Sequence, residues 1–417
     1  MLEFSSKNAA LRLSVLAIAL SSSACVLDSD AAIEQLEDGA VASVADPVDD
    51  QTPAPSPTPT PTPTAPPKTV TSDEGFVQLE KIATNFDSTT MFADRPLPGD
   101  MGSDIVGAFR FICQPSHNLY DDPIVFPGQP GKAHLHTFYG NTEANANSTY
   151  ESLRTSGDST CRNAMNRSAY WMPAMLNGRG GVVMPEYTIV YYKRVPADNE
   201  RCQREKACIG LPRGLRYVFG NTSQGAVGDN KVSISCSDLD GTSGNKYDNI
   251  PQAAAECEVG GTLYVGIHSP ECWNGTDLDS LDHRSHMADS VRNAETNWKK
   301  QCPTSHPYLL PKFTLRAKYT IDETLDRSGD LSTSRQTWHF SSDRMEGKTP
   351  HIAGTTFHGD WFGAWDDEVL EEWVKHCIDG FLSCNDANLG AGRGLRNLTP
   401  KQPTMSGTVP MPARPVA

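Results

Sequence analysis

The stretch GVVMPEYTIVYY, residues 181–192, decides the fold class. Val182, Val183 and Tyr187–Tyr192 crowd β-branched and aromatic side chains together, and such side chains suit a pleated, half-buried surface. Similar short runs recur at Leu215–Phe219, Gly261–Ile267, Phe313–Tyr319 and Thr337–Phe340. Phe76–Phe92 has room for one strand and a turn. Glycine-rich pieces such as Gly178–Gly181 and Gly390–Gly394 read as turns between the runs. Short strands separated by turn residues predict a mainly antiparallel β domain, a sandwich or jelly roll, with long loops and few short helices. The clearest helix is EVLEEWVK, Glu368–Lys375, and His283–Asn297 reads as a short helix or an ordered loop.

The front of the chain has a different texture. Arg12 precedes the apolar run Leu13–Leu20, and Ser21–Ala24 lead into Cys25. That layout predicts an export signal over residues 1–24 and lipidation at Cys25. The rival is an ordinary signal peptide cut near Ala24. The run is too short to span a bilayer, which needs about 20 apolar residues. Residues 26–50 carry eight acids and no bases, and Gln51–Pro67 is a Pro/Thr alternation. Self-repulsion and extended polyproline geometry make residues 25–71 a stalk. Residues 72–396 are then one globular β-rich domain, and residues 397–417, rich in proline, a flexible tail. The expected location is outside the cytoplasm, lipid-anchored to a bacterial outer membrane or cell surface.

Composition narrows the function classes. With 36 basic and 51 acidic residues in 417, the formal charge is −15. No Lys/Arg cluster stands out, which argues against nucleic acid as partner. Neither a phosphate-cradling Walker loop nor a dinucleotide glycine loop occurs, so no nucleotide cofactor is expected. A Gly-x-Ser-x-Gly elbow and His-Glu-x-x-His are missing too. Setting Cys25 aside, ten cysteines remain: Cys113, Cys161, Cys202, Cys208, Cys236, Cys257, Cys272, Cys302, Cys377 and Cys384. Scattered singly and even in number, they suggest up to five disulfides rather than a zinc knuckle. Cys202–Cys208 and Cys377–Cys384 are close enough to close small loops.

Histidine and aspartate gather in separated clusters. In AHLHTFYGN, residues 133–141, strand geometry would point His134 and His136 to one face, beside Tyr139 and Asn141. Two such imidazoles can ligate a metal or act as base and orienter. The bland alternative is a pair of buried histidines bonded to loops. In CWNGTDLDSLDHRSHMA, residues 272–288, His283 and His286 would share a helix face. Asp279 or Asp282 could orient an imidazole or ligate beside it, and Arg284 could pair with an anion. Asp–His pairs also simply hold loops. Pro307 restricts His306 to extended geometry. In FHGDWFGAW, residues 357–365, His358 and Asp360 have strand spacing among Trp361 and Trp365, rings that suit either a sugar face or a core. Trp171 and Trp273 carry the same ambiguity. His117 reads as one more exposed histidine.

Taken together, PGQPGKAHLHTFYGN, STC…SAYWMPAML, CWNGTDLDSLDHRSHMA, CPTSHPYLLP and FHGDWFGAW resemble the secreted domain of unknown function numbered 1996, found in fungi and bacteria, sometimes beside carbohydrate-binding cell-wall modules. The resemblance covers Val77 to Gly390. It includes His134, His136, Asn141, Cys161, Trp171, Pro173, Cys272, Trp273, Asp279, His283, His286, Cys302, His306, His358 and Asp360. It implies one extracellular domain with a His/Asp-rich surface and supplies no reaction.

The expectation is an extracellular polysaccharide-active enzyme, hydrolase or lyase. Its catalytic candidates are His134, His136, Asp282, His283, His286, His358 and Asp360. Tyr139, Asn141, Trp273, Arg284, Trp361 and Trp365 are the candidates for contacting a glycan. A divalent metal, calcium or zinc, would take ligands from His134, His136, Asp279 and His283, with His286 or His358 as further choices. The alternatives are a non-catalytic glycan-binding or adhesion module and a structural envelope lipoprotein.

Overall fold

The computed structural model describes residues 68–102, 105–221, 232–237, 243–385, 387–396 and 407–415. The predicted signal, the lipidation site Cys25 and the stalk up to residue 67 lie outside them. Thr69–Thr71, assigned from sequence to the stalk, pairs with Val77–Leu79 as a two-stranded ribbon.

Twelve strands build the frame: β1 Gly107–Cys113, β2 Pro115–Leu119, β3 His136–Gly140, β4 Ala169–Pro173, β5 Tyr187–Arg194 and β6 Arg216–Gly220 come first. They are followed by β7 Val232–Ser237, β8 Ser243–Tyr247, β9 Thr262–His268, β10 Lys312–Thr320, β11 His358–Phe362 and β12 Ser383–Cys384. Seven make one sheet in the order β8-β7-β9-β10-β5-β1-β12, antiparallel except at the β1/β12 edge. Five make a second in the order β6-β11-β4-β3-β2. The expected mainly β architecture with few short helices is present. Among the described residues no sheet closes into a barrel or a jelly roll, and the expected clear sandwich does not form either.

The two sheets bury side chains differently. Along β5 and β10 buried and part-exposed residues alternate, so one face of the seven-stranded sheet is open. In β3, β4 and β11 every residue is buried. One face of the five-stranded sheet meets the larger sheet through Tyr217, Phe219 and Trp361 around Phe313, with ring centroids 6.2, 5.5 and 5.5 Å away. Tyr170 and Tyr192 join hydroxyls there at 2.8 Å. Gly359 permits this approach, since a Cβ there would lie 2.7 Å from the Phe219 ring. The opposite face carries Phe138, Trp171, Val218 and Phe362 under a second apolar cluster with Ile124, Tyr150 and Leu153.

Ten cysteines form five disulfides: 113–161, 202–208, 236–257, 272–302 and 377–384. The predicted helix appears as Asp367–Trp373 and runs on into a π turn, Val374–Ile378. Of the two readings of His283–Asn297, the ordered loop holds: turns and bends surround the short strand Met287–Ala288 and no helix forms. The predicted tail is partly docked, because Gly407–Pro410 pairs with Gly181–Met184 as an edge strand. Among the described residues no helix is long and apolar enough to cross a membrane.

Candidate metal centre

Strand alternation places the site on the outer face of the five-stranded sheet. His136 of β3 pairs with Pro173 of β4, and Phe138 with Trp171. Asp360 of β11 also pairs with Trp171, and continuing that register sets His358 opposite Pro173. One row across the sheet therefore reads His136, Pro173, His358, and the next reads Phe138, Trp171, Asp360. His134 joins from the extended lead-in; the strand begins at His136, not at Ala133 as the sequence suggested.

The three imidazoles converge. Ring centroids are 4.1 Å apart for His134–His136, 5.1 Å for His134–His358 and 5.9 Å for His136–His358. One ring nitrogen from each lies within 4.8 Å of the others. The tautomers follow from the neighbours. His136 Nδ1 donates to the Asp121 carbonyl at 2.9 Å, and His358 Nδ1 donates to the Thr356 carbonyl at 2.9 Å. A carbonyl only accepts, so both Nδ1 atoms carry the proton. Ser341 Oγ donates to the Leu135 carbonyl, which leaves its lone pair to accept from His134 Nδ1 at 2.9 Å. In all three rings Nε2 is then the unprotonated atom. A second-shell acceptor fixing Nδ1–H is the arrangement by which proteins orient metal-binding histidines.

Electrostatics favour the same state. Burial pushes His136 down to about 3 and His358 down to about 4. Burial, then the neighbouring His136 and His358, push His134 well below the usual imidazole range. All three are neutral at pH 7. His136 Nε2 is buried without a partner, and so are both carboxyl oxygens of Asp360, which is 0% exposed. Asp360 Oδ2 stands 3.8 Å from His358 Nε2. Burial first, then the Asp122 carboxylate, raise Asp360 well above the carboxylate range, against the pull of Arg284. Unsatisfied buried polar atoms are rare in native proteins. Here one lies within the histidine cluster, and the Asp360 carboxyl stands next to His358. His134, His136 and His358 could together hold a metal ion.

The sequence clusters separate in space. His134, His136, His358 and Asp360 come together. Arg284 reaches them from its loop: Nη1 donates to Gly220 O at 2.9 Å, Nη2 is buried unpaired, and its charge acts on both His358 and Asp360. Gly220, at φ 94°, ends β6 opposite His358 and turns its carbonyl to that guanidinium.

The rest of that loop ties itself together. His283 Nδ1 donates to Asp279 Oδ1 at 2.9 Å, and Arg216 Nε donates to Asp279 Oδ2 at 2.9 Å. The expected metal ligands Asp279 and His283 thus bind each other instead of joining His134 and His136. His286 lies between Ser280 Oγ and the Arg216 carbonyl, 2.8 and 2.9 Å away, with both nitrogens engaged. Asp282 is exposed and accepts from Ser280, Arg284 and Ser285. Those bonds, the Ser285 N–H foremost, hold it far below the usual range, which suits a turn and not an acid catalyst. His306 spans Ser305 and the Ser285 carbonyl, and His117 spans Ser116 and the Ala144 carbonyl.

The aromatic candidates for sugar contact differ from expectation in the same way. Trp273 packs edge-on against Phe76 and donates to the Asp277 carbonyl. Trp361 lies between the sheets, and Trp365 packs on Phe111 at 5.4 Å. None is more than 5% exposed, so no sugar ring can reach them. Tyr139 is buried on the inner face. Asn141 ties a loop, donating to Leu153 and Ser156 carbonyls.

Sequence reasoning passed over Asp122. It lies in the turn-rich stretch DDPIVFPGQPGK, residues 121–132. Its Oδ1 accepts from the N–H groups of Ile124 and Val125, both at 2.9 Å. Burial nevertheless pushes it up to about 6. A carboxyl titrating near 6 beside Asp360 has the poise of a general acid or base. Ser341, equally unremarkable in sequence, sets the His134 tautomer.

Neither a curated protein nor a solved structure matches the chain. The family model described as Domain of unknown function (DUF1996) matches residues 122–365. That span is more than half of the 417 residues, and it encloses all three histidines of the cluster, Asp360, Arg284 and Asp122. The metal-competent cluster therefore sits inside the matched domain, and the chain belongs to the DUF1996 family.

Proposed function

We propose that this domain is a transition-metal-dependent enzyme acting on an extracellular polysaccharide. One observation carries the reading: three neutral imidazoles, His136 and His358 buried and His134 half-buried, each bond the protein through Nδ1, and one ring nitrogen from each lies within 4.8 Å of the others. A metal bound there would lower the pKa of its water to about 7 or polarise a substrate oxygen. Asp122 is the group placed to move a proton, and Arg284 to hold developing negative charge. Five disulfides favour an oxidising compartment, in keeping with export and a lipid anchor at Cys25. The burial of Trp273, Trp361 and Trp365 counts against a stacking platform built from those residues, and so against the binding-module alternative as first drawn.

The test is elemental analysis of the purified full chain beside product release from acidic and neutral polysaccharides. The expected result is about one transition metal per chain, new chain ends, and loss of both after chelation. A metal-free preparation that takes up no zinc when dialysed against it would overturn the metal centre. A metal-loaded protein releasing no product from any glycan would overturn the enzyme.

A further inference from the structure

A cleft of about 480 Å³ opens beside His134, the only member of the triad that is not fully covered. Its wall carries Lys132, Arg344, Lys348 and Arg414 against one acid, Glu346. The chain as a whole has a charge of −15, so this grouping runs against its composition. Arg414 comes from the C-terminal segment. It donates to the Gly131 carbonyl at 3.1 Å and lies over the Tyr120 ring at 4.4 Å, which pins that segment across the cleft. Arg344 donates through Nη2 to the Gln336 carbonyl, while its Nε has no partner.

The geometry points to an anionic glycan, one bearing carboxylates or sulfates, as the ligand of this cleft, held by Lys132, Arg344, Lys348 and Arg414 beside the His134 edge of the metal centre. This deepens the proposed enzyme and rests on that reading for the cleft's role in turnover. Guanidinium and ammonium groups pair with such anions through charge-assisted bonds. Leu176, Met345 and Met411 supply apolar wall for the C–H faces of a pyranose ring. Nucleic acid fits less well. Single strands need free aromatic rings to stack on, and the one aromatic ring in the wall, Tyr120, is already covered by Arg414. A densely charged backbone leaving the cleft would also meet an acidic protein.

The experiment is affinity electrophoresis of the full chain at about 50 mM salt, where surface charges are weakly screened. The gels contain polygalacturonate, dextran sulfate, neutral dextran or single-stranded DNA. Retardation by polygalacturonate or dextran sulfate, with none by dextran, is expected. Lys132 and Lys348 are exposed, so Lys132→Glu/Lys348→Glu keeps the fold, checked by its melting curve, and should weaken retardation about tenfold or more. Lys348→Gln, a milder change, should weaken it less. Unchanged retardation in the double variant, equal retardation by dextran, tighter binding of DNA, or no retardation by either anionic glycan would each overturn the proposal. His136→Gln separates the two readings: it should lose metal yet keep glycan retardation. A wild type without metal but with charge-dependent retardation would sink the enzyme and leave this site standing.

Discussion

Two histidine-rich regions of this molecule look alike in sequence and do different work. His134, His136 and His358 each bond the protein through Nδ1, and one ring nitrogen from each lies within 4.8 Å of the others. Within the loop 279–286, His286 has both nitrogens engaged, and His283 is paired with Asp279. The first region holds unsatisfied buried atoms at His136 Nε2 and on both oxygens of Asp360. In the second, the imidazole nitrogens of His286 are spent on the hydroxyl and carbonyl that hold the loop closed. Unspent bonding capacity in a dry place, and not histidine density, marks chemistry here. A group with no partner in a low-dielectric site is costly unless a ligand supplies one.

The sharpest way to break this contrast is a pair of substitutions. His136→Gln should reduce metal affinity by more than the roughly 10–100-fold typical of losing an outer-shell partner, because it removes a ligand. His286→Ala should leave metal content at the wild-type level. Its cost is stability, about 1–3 kcal/mol, from leaving the Arg216 carbonyl and Ser280 hydroxyl without their partner. Metal titration and chemical denaturation on both proteins read the two effects. Equal loss of metal in both variants would erase the distinction.

A smaller effect tests the hydroxyl that orients His134. Ser341 relays the Leu135 carbonyl to His134 Nδ1. Ser341→Ala should free that imidazole to change tautomer and turn. Metal affinity should fall about 10–100-fold while the fold persists. An unchanged affinity would mean that packing alone orients His134.

The cysteine parity and the β texture were legible because both are local and countable. Strand spacing also anticipated that His358 and Asp360 share a side of β11. The meeting of His358 with His136 was not legible, because it needs the pairing of β11, β4 and β3, set by the core under Gly359 and Trp361. The tryptophans misled for a plain reason: a large ring flanked by glycine serves equally as sugar platform or as filler between sheets, and only burial separates the two. Asp122 stayed hidden because its backbone bonds are those of any turn aspartate. What sets it apart is its burial, at 4% exposed, which no local pattern announces.

The smallest effect concerns acid. His136 and His358 resist protonation in the fold until pH falls to about 3 and about 4, because burial disfavours their cations. In the unfolded chain the same groups take up protons near pH 6.5. Between those limits unfolding binds protons, so these two histidines withdraw stability from the metal-free protein as pH falls below about 6.5. The facing carboxyls act in the opposite sense. Asp122, raised to about 6, and Asp360, raised further from its ordinary value by burial, hold protons that the unfolded chain releases. Their contribution is present in acid and fades as pH rises through their folded values. Arg284 stays charged throughout. His136→Gln removes one acid-labile imidazole and leaves the carboxyls in place. With chelator present, the difference in melting temperature between pH 7 and pH 5 should therefore move toward acid stability in the variant. His286→Ala should move it less, since the burial of His286 is offset by the Arg216 carbonyl and by three nearby aspartates. An equal shift in both variants would show that the acid response belongs to buried histidines in general and not to the triad.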